Sequence, residues 1–152
     1  MGKKEVKYIF LALLCCCQTI CLGQILKPVK WSYASKKLDE HHAVIYFKAD
    51  IDDGWHIYSL NQPDGGPKKT TFVLNRNTGF TANGKPIEPK PKKHFEKAFG
   101  IYVYYFEHSV IFQQKILIKK PQTTIKGTLT FMVCNNHQCL SPEDIEFAIP
   151  IN

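Results

Sequence analysis

Hydrophobic and polar residues alternate with a period of two along most of this chain of 152 residues. Near its start, for example, Val29, Trp31 and Tyr33 alternate with Lys30 and Ser32. Alternation of this kind predicts β-strands that bury one face. The predicted strands are Val29–Tyr33, the β-rich apolar run Ala43–Phe47, Trp55–Tyr58, Thr70–Leu74, Ile101–Phe106, Val110–Ile118, Gly127–Val133 and Ile145–Ile151.

Turn signals separate these segments, and no segment shows the period of an amphipathic helix. They include Asp52-Asp53-Gly54, Asn77-Thr78-Gly79 and Asn83-Gly84, together with a loop rich in proline and glycine over residues 63–67. Many short strands separated by such turns are typical of a sandwich. The pattern therefore predicts one all-β domain, an antiparallel β-sandwich.

The N-terminus departs from this pattern and indicates export. Lys3, Lys4 and Lys7 precede an apolar run over residues 8–22, which is short for a membrane span. We predict a signal peptide over residues 1–23, cleaved between Gly23 and Gln24, and a domain over residues 24–152. A lipid anchor is one alternative, because four cysteines lie in this run, and an uncleaved anchor is the other.

Removal of residues 1–23 lowers the net charge from +7 to +5 and leaves 129 residues, enough for one sizeable core. The 20 basic residues include a single arginine, Arg76, which does not favour nucleic-acid binding. Several lysines cluster among prolines and predict a solvated extended loop, with a docking surface for an acidic partner as the alternative. They are Lys85, Lys90, Lys92, Lys93 and Lys97.

Two of the six cysteines, Cys134 and Cys139, remain in the predicted mature chain. In an exported protein such a pair indicates a disulfide, either a structural clasp or a working dithiol. The alternation places Cys134 on the less buried face of its strand. A ring this short adds only about 2 kcal/mol of stability, which favours the working dithiol. His137, inside the loop, could favour a thiolate; a solvent-facing histidine is the alternative.

A metal site is the other chemistry that these residues suggest. Cys134, Cys139 and His137, with His56 or His94, are ligands that zinc accepts. The cysteine spacing of zinc knuckles and a second cysteine pair are both missing, so we predict no metal and no organic cofactor. A metal-handling or haem-handling protein remains a rival interpretation.

Four segments together resemble a known family. They are WHIYS after a turn glycine, a following GGP, KAFG before an aromatic strand, and VCNNHQCLSPEDIEF near the C-terminus. The chain resembles, over roughly residues 29–151, the N-terminal periplasmic domain of the thiol:disulfide interchange protein DsbD. The resemblance implies an immunoglobulin-like fold, and a reversible disulfide that takes electrons from a thioredoxin-like protein and passes them to oxidised periplasmic proteins.

Carried onto this sequence, the resemblance makes Cys134 and Cys139 the exchanging pair, with Cys139 expected to face the partner. His56 and Tyr58 match positions beside the pair, and Phe99 matches the phenylalanine that shields the family's disulfide. Ordinary core packing is the alternative for Tyr58 and Phe99.

Full-length members of the family also carry a multi-helix membrane part and a thioredoxin-like domain, which this sequence lacks. The expected partners are therefore separate thioredoxin-like redox proteins and a membrane thiol-disulfide transporter, with the protein periplasmic or secreted and without a membrane span in its mature chain. We predict periplasmic thiol:disulfide exchange through Cys134 and Cys139. The alternative is a secreted binding module whose disulfide is purely structural.

Overall fold

The structure, a computed structural model, describes residues 26–97 and 99–151. The predicted signal peptide over residues 1–23 lies outside the described residues. Within the described ranges the chain forms β-strands joined by turns, and no α-helix. The strands are β1 (Val29–Lys37), β2 (His42–Ile51), β3 (His56–Tyr58), β4 (Thr71–Leu74), β5 (Phe80–Ala82), β6 (Lys92–Glu96), β7 (Ile101–Phe106), β8 (Ser109–Ile118), β9 (Thr123–Phe131), β10 (Val133–Cys134) and β11 (Glu143–Ile151).

The described strands pair in three antiparallel sheets. The first sheet has the order β1-β2-β8-β5, the second β10-β3-β7-β6, and the third β11-β9-β4. Long-range aromatic contacts join the first sheet to the other two. The ring of Phe47 in β2 stacks on that of Phe72 in β4 with centroids 4.2 Å apart, and Phe112 in β8 meets Phe106 in β7 at 5.6 Å.

One apolar core lies between these sheets and contains fully buried residues from each of them, including Phe112, Leu129 and Ile57. Trp31 of β1 packs edge-on against Phe131 of β9, with centroids 5.4 Å apart. The arrangement is an immunoglobulin-like β-sandwich. The alternation of the sequence predicted the all-β class, and the family resemblance predicted the immunoglobulin-like fold. Each of the eight predicted segments overlaps a strand.

Two strands were not predicted. Strand β5 has only three residues between turn signals, and β6 lies partly in the stretch predicted as a solvated extended loop. That prediction is correct for Lys85 and Lys90 but wrong for Lys92 and Lys93, which pair with Tyr105 and Tyr104 of β7. Because β6 is an edge strand, its side chains are mostly exposed and show no alternation.

The chain changes sheets at Met132. Strand β9 ends at Phe131 in the third sheet, and β10 begins at Val133 in the second, so the predicted segment Gly127–Val133 is divided. Val133 joins the main core, whereas Cys134 belongs to a smaller cluster on the other face of the second sheet. That face carries the site described below. Within the described ranges no helix has the length and apolarity needed to cross a membrane.

Candidate functional site

Cys134 and Cys139 form a disulfide with an S–S distance of 2.02 Å and a Cα–Cα distance of 4.0 Å. The turn between them is closed by its own hydrogen bonds. The backbone N–H of Asn135 donates to the carbonyl of Gln138 at 2.9 Å, and the Asn135 side-chain oxygen accepts from the backbone N–H groups of His137 and Gln138, both at 2.8 Å. Asparagine favours such turns because its side chain caps the following backbone N–H groups.

The two sulfur-bearing residues differ sharply in exposure. Cys139 is exposed, whereas Cys134 is 1 % exposed and packs in a cluster with Tyr58 and Val103. The alternation correctly placed Cys134 on the face opposite Val133. The expectation that this face is less buried is wrong at Cys134, because Tyr58 and Val103 from two neighbouring strands cover it.

His56 lies directly opposite Cys134 in the pairing of β3 with β10. Its Nε2 is 3.1 Å from the hydroxyl oxygen of Tyr58, and its ring lies between Tyr58 and Tyr105, with centroid distances of 5.2 and 5.1 Å. Burial lowers the pKa of His56, against the smaller opposing effect of the charges on Glu107 and Glu96. Burial also raises the pKa of Tyr58 to about 12, with a further contribution from Glu96.

Phe99 lies in the turn between β6 and β7 and is 41 % exposed. The turn is tightened by the backbone N–H groups of Phe99 and Gly100, which donate to the carbonyl of Glu96 at 3.2 and 2.9 Å. Gly100 has a φ of 67°, which glycine adopts without steric cost. The hairpin thus holds the Phe99 side chain at the rim of the site.

These residues surround a concave site of about 590 Å³. The structure brings all six predicted site residues to it: Cys134, Cys139, His56, Tyr58, Phe99 and His137. His137 is exposed within the turn. Whether each residue acts as the resemblance implies stays a prediction.

The sequence analysis missed Val103, Tyr105 and Glu107, which line the same concavity. The carboxylate of Glu107 forms a salt bridge with Lys92, with Oε2 and Nζ 2.5 Å apart, and this contact raises the pKa of Lys92. The available signal was the period of two in a strand, which places Val103 and Tyr105 on one face of β7. The pairing of β7 with β3 and β6 was not readable from the sequence.

The metal interpretation depends on three or more ligands lying together. Among the described residues, no group of three or more histidine, cysteine, aspartate or glutamate side chains is arranged to hold a metal ion. Cys134 and Cys139 are bonded to one another, so the disulfide would have to be reduced before either sulfur could bind a metal ion as a thiolate.

Three solved structures share this fold. The N-terminal periplasmic domain of ScsB from Proteus mirabilis has a TM-score of 0.60 and 18% identity, over 81% of this chain and 46% of that one, so the chain spans about half of that structure's length. The DsbD N-terminal domain of Neisseria meningitidis in the reduced form has a TM-score of 0.51 and 20% identity, over 79% and 85% of the two chains.

The third structure is of the complex between the DsbD and PilB N-terminal domains from Neisseria meningitidis, with a TM-score of 0.52 and 19% identity over 83% of this chain and 88% of that one. No curated protein sequence matches the chain. The family model described as "Thiol:disulfide interchange protein DsbD, N-terminal" matches residues 23–150. The resemblance found in the sequence is confirmed: the chain belongs to the family of DsbD N-terminal domains.

Proposed function

We propose that this protein is a thiol:disulfide exchange protein whose working group is the Cys134–Cys139 pair. One observation carries the proposal: the disulfide lies in a concave site with Cys139 exposed and Cys134 buried. An exchange reaction needs one sulfur that a partner can reach and a second that can leave and later return. Family membership supports the same chemistry.

Reduction of the pair proceeds in two displacements. A thiolate of the donor attacks Sγ of Cys139, the S–S bond breaks, and Sγ of Cys134 leaves with the bonding electron pair. The donor's second thiolate then attacks the donor's own sulfur in the mixed disulfide and releases Cys139. The donor ends as a disulfide and this protein as a dithiol, which reduces an oxidised protein by the reverse sequence.

The partners we propose are thioredoxin-like redox proteins and, as their source of electrons, a membrane thiol-disulfide transporter. The DsbD N-terminal domain of Neisseria meningitidis forms a complex with the PilB N-terminal domain, which supports direct binding of a partner protein by this fold. The open side of the concavity, with Cys139 and Phe99 at its edge, is the surface that such a partner would cover.

The decisive experiment mixes the oxidised protein with a reduced thioredoxin-like protein and follows both redox states by thiol labelling. We expect electrons to pass from the donor to the disulfide, with a reduction potential of about −230 mV. A potential below about −300 mV, or a bond that resists the donor, would instead indicate a binding module with a structural disulfide. The Cys134→Ala/Cys139→Ala variant, folded but inert, is the control.

We also propose that the protein acts in the periplasm, after removal of residues 1–23. The basic and apolar pattern of that segment and the periplasmic family support this location. Mass spectrometry of the protein from a periplasmic extract should give a chain that begins at Gln24. An unprocessed chain in the membrane fraction would contradict the cleavage site.

A further inference from the structure

Three histidines line the concavity within the described part of the chain, and they relate differently to the disulfide. His56 is paired with Cys134 across β3 and β10, whereas His94 pairs with Val103 at the far edge of the sheet and His137 is exposed in the turn. Residues directly opposite on antiparallel strands have Cβ atoms about 5 Å apart. The imidazole of His56 is therefore the histidine ring held beside Cys134.

Tyr58 fixes how the His56 ring is presented. With its pKa raised to about 12, the Tyr58 phenol keeps its proton over the working range of pH, and its O–H is the donor that we assign to the 3.1 Å hydrogen bond with Nε2 of His56. The proton of a neutral His56 ring then sits on Nδ1. No hydrogen bond among the described residues uses Nδ1, so its N–H is available to the site.

Opening of the disulfide produces a buried sulfur that a nearby proton donor would stabilise. When a donor attacks Cys139, Cys134 leaves as a thiolate inside a cluster with Tyr58 and Val103. Burial among apolar groups disfavours the thiolate, and a leaving thiolate that is poorly stabilised leaves slowly. The turn over residues 135–138 contains no lysine or arginine that could stabilise this thiolate, and its one histidine, His137, is exposed.

We infer that His56, given the exchange proposed above, donates a proton to the Cys134 thiolate as the bond opens, and that Tyr58 is its positioning residue. The reaction balances as follows. The donor thiol loses its proton to solvent, its thiolate bonds to Sγ of Cys139, and Sγ of Cys134 takes the electron pair of the broken bond. His56 then delivers to that sulfur a proton that it takes up from solvent.

Charged groups around His56 are arranged to permit this uptake. Glu96 of β6 and Glu107 after β7 raise the pKa of His56, His94 lowers it, and burial lowers it most. Lys92 pairs with Tyr105 across β6 and β7, and its ammonium group forms a salt bridge with Glu107. The ring therefore rests neutral, and the negative charge appearing on Cys134 adds to that of the two glutamates and draws a proton onto it.

The test compares rates of disulfide opening by dithiothreitol and by a thioredoxin-like protein for wild type, His56→Phe and His56→Gln between about pH 5 and about pH 9. We expect His56→Phe to open about tenfold more slowly with either reductant, since the leaving thiolate loses its proton source. The ratio of the wild-type to the variant rate should fall as pH rises, because the solvent then supplies fewer protons. His41→Phe, a matched change at an exposed histidine between β1 and β2 that does not line the concavity, should stay within about twofold of wild type.

His56→Gln keeps a hydrogen-bonding side chain beside Tyr58 but cannot carry a proton, so it should be as slow as His56→Phe at low pH. A wild-type rate in either folded variant, or a rate ratio that does not change with pH, would overturn the inference. Failure of the proposed function is a separate result, because it would show as a wild-type bond that neither reductant opens. Tyr58→Phe should give an intermediate loss with its pH dependence retained.

Discussion

Phe95 and Phe99 lie on the same β6–β7 hairpin and are almost equally exposed, at 44% and 41%, yet Phe99 lines the concavity of the disulfide and Phe95 does not. Phe95 instead stacks edge-on against Tyr102, with ring centroids 5.3 Å apart. The hairpin therefore supplies a matched pair of aromatic residues, one that lines the concavity of the disulfide and one that does not.

Replacement of Phe99 by alanine should open the site to small reductants. Loss of the ring removes cover from the concavity, so dithiothreitol should reduce the bond several-fold faster in Phe99→Ala than in wild type. The free energy of unfolding should change by less than about 1 kcal/mol, because the side chain is largely exposed. Phe95→Ala should reduce at the wild-type rate, and equal acceleration in both variants would contradict a shielding role for Phe99.

The unequal exposure of the two cysteines predicts unequal reactivity after reduction. Iodoacetamide should alkylate Cys139 at least about tenfold faster than Cys134, because access and thiolate character control this reaction. Peptide mapping by mass spectrometry after brief labelling measures the ratio. The reduced Cys134→Ala variant should attack the disulfide of an oxidised acceptor protein and hold it as a mixed disulfide through Cys139, because the thiol that would release the acceptor is absent. Preferential labelling of Cys134 would reverse the proposed order of attack.

Reduction should weaken the fold only modestly. The cysteines are five residues apart in sequence, and closing so short a loop contributes about 2 kcal/mol in the chain-entropy model. Urea unfolding of the oxidised and the reduced wild-type protein measures this difference without introducing a new side chain at the buried position. A reduced protein that is unfolded in buffer would show that the bond is a structural requirement.

The lowered pKa of His56 makes the free energy of unfolding depend on pH below about 6.5. The unfolded chain binds a proton on this histidine near its ordinary pKa of about 6.5, whereas the folded protein binds it only at lower pH. The free energy of unfolding of the oxidised protein should therefore fall as pH drops below about 6.5. His56→Phe should show a smaller fall between about pH 7 and about pH 5, measured by urea unfolding at each pH.

Much of the fold was predictable because its long strands bury one face. Burial alternates in strand β8 from Val110 to Ile118 and follows the local sequence at most positions, although Ile111 is exposed and Gln114 is buried. Strand β6 was missed because its charged residues form a strand only through pairing with β7. Strand β5 was missed because its three residues lie between strong turn signals.

The site was predictable to the extent that it is local. Cys134, Cys139 and His137 lie within one turn, and the resemblance added His56, Tyr58 and Phe99. The burial of Cys134 was not predictable, because it depends on the change of sheet at Met132 and on cover from β3 and β7. The register that sets His56 opposite Cys134 likewise joins segments far apart in the chain.

The turn over residues 135–138 holds its shape with hydrogen bonds of its own, and the backbone N–H of Leu140 donates to the carbonyl of Val133 just beyond it. None of these bonds depends on the sulfurs being joined. The two thiols therefore stay neighbours after the bond opens, at a high effective concentration relative to one another. A mixed disulfide at Cys139 is consequently short-lived, because Cys134 attacks it, re-forms the Cys134–Cys139 bond and releases the partner protein.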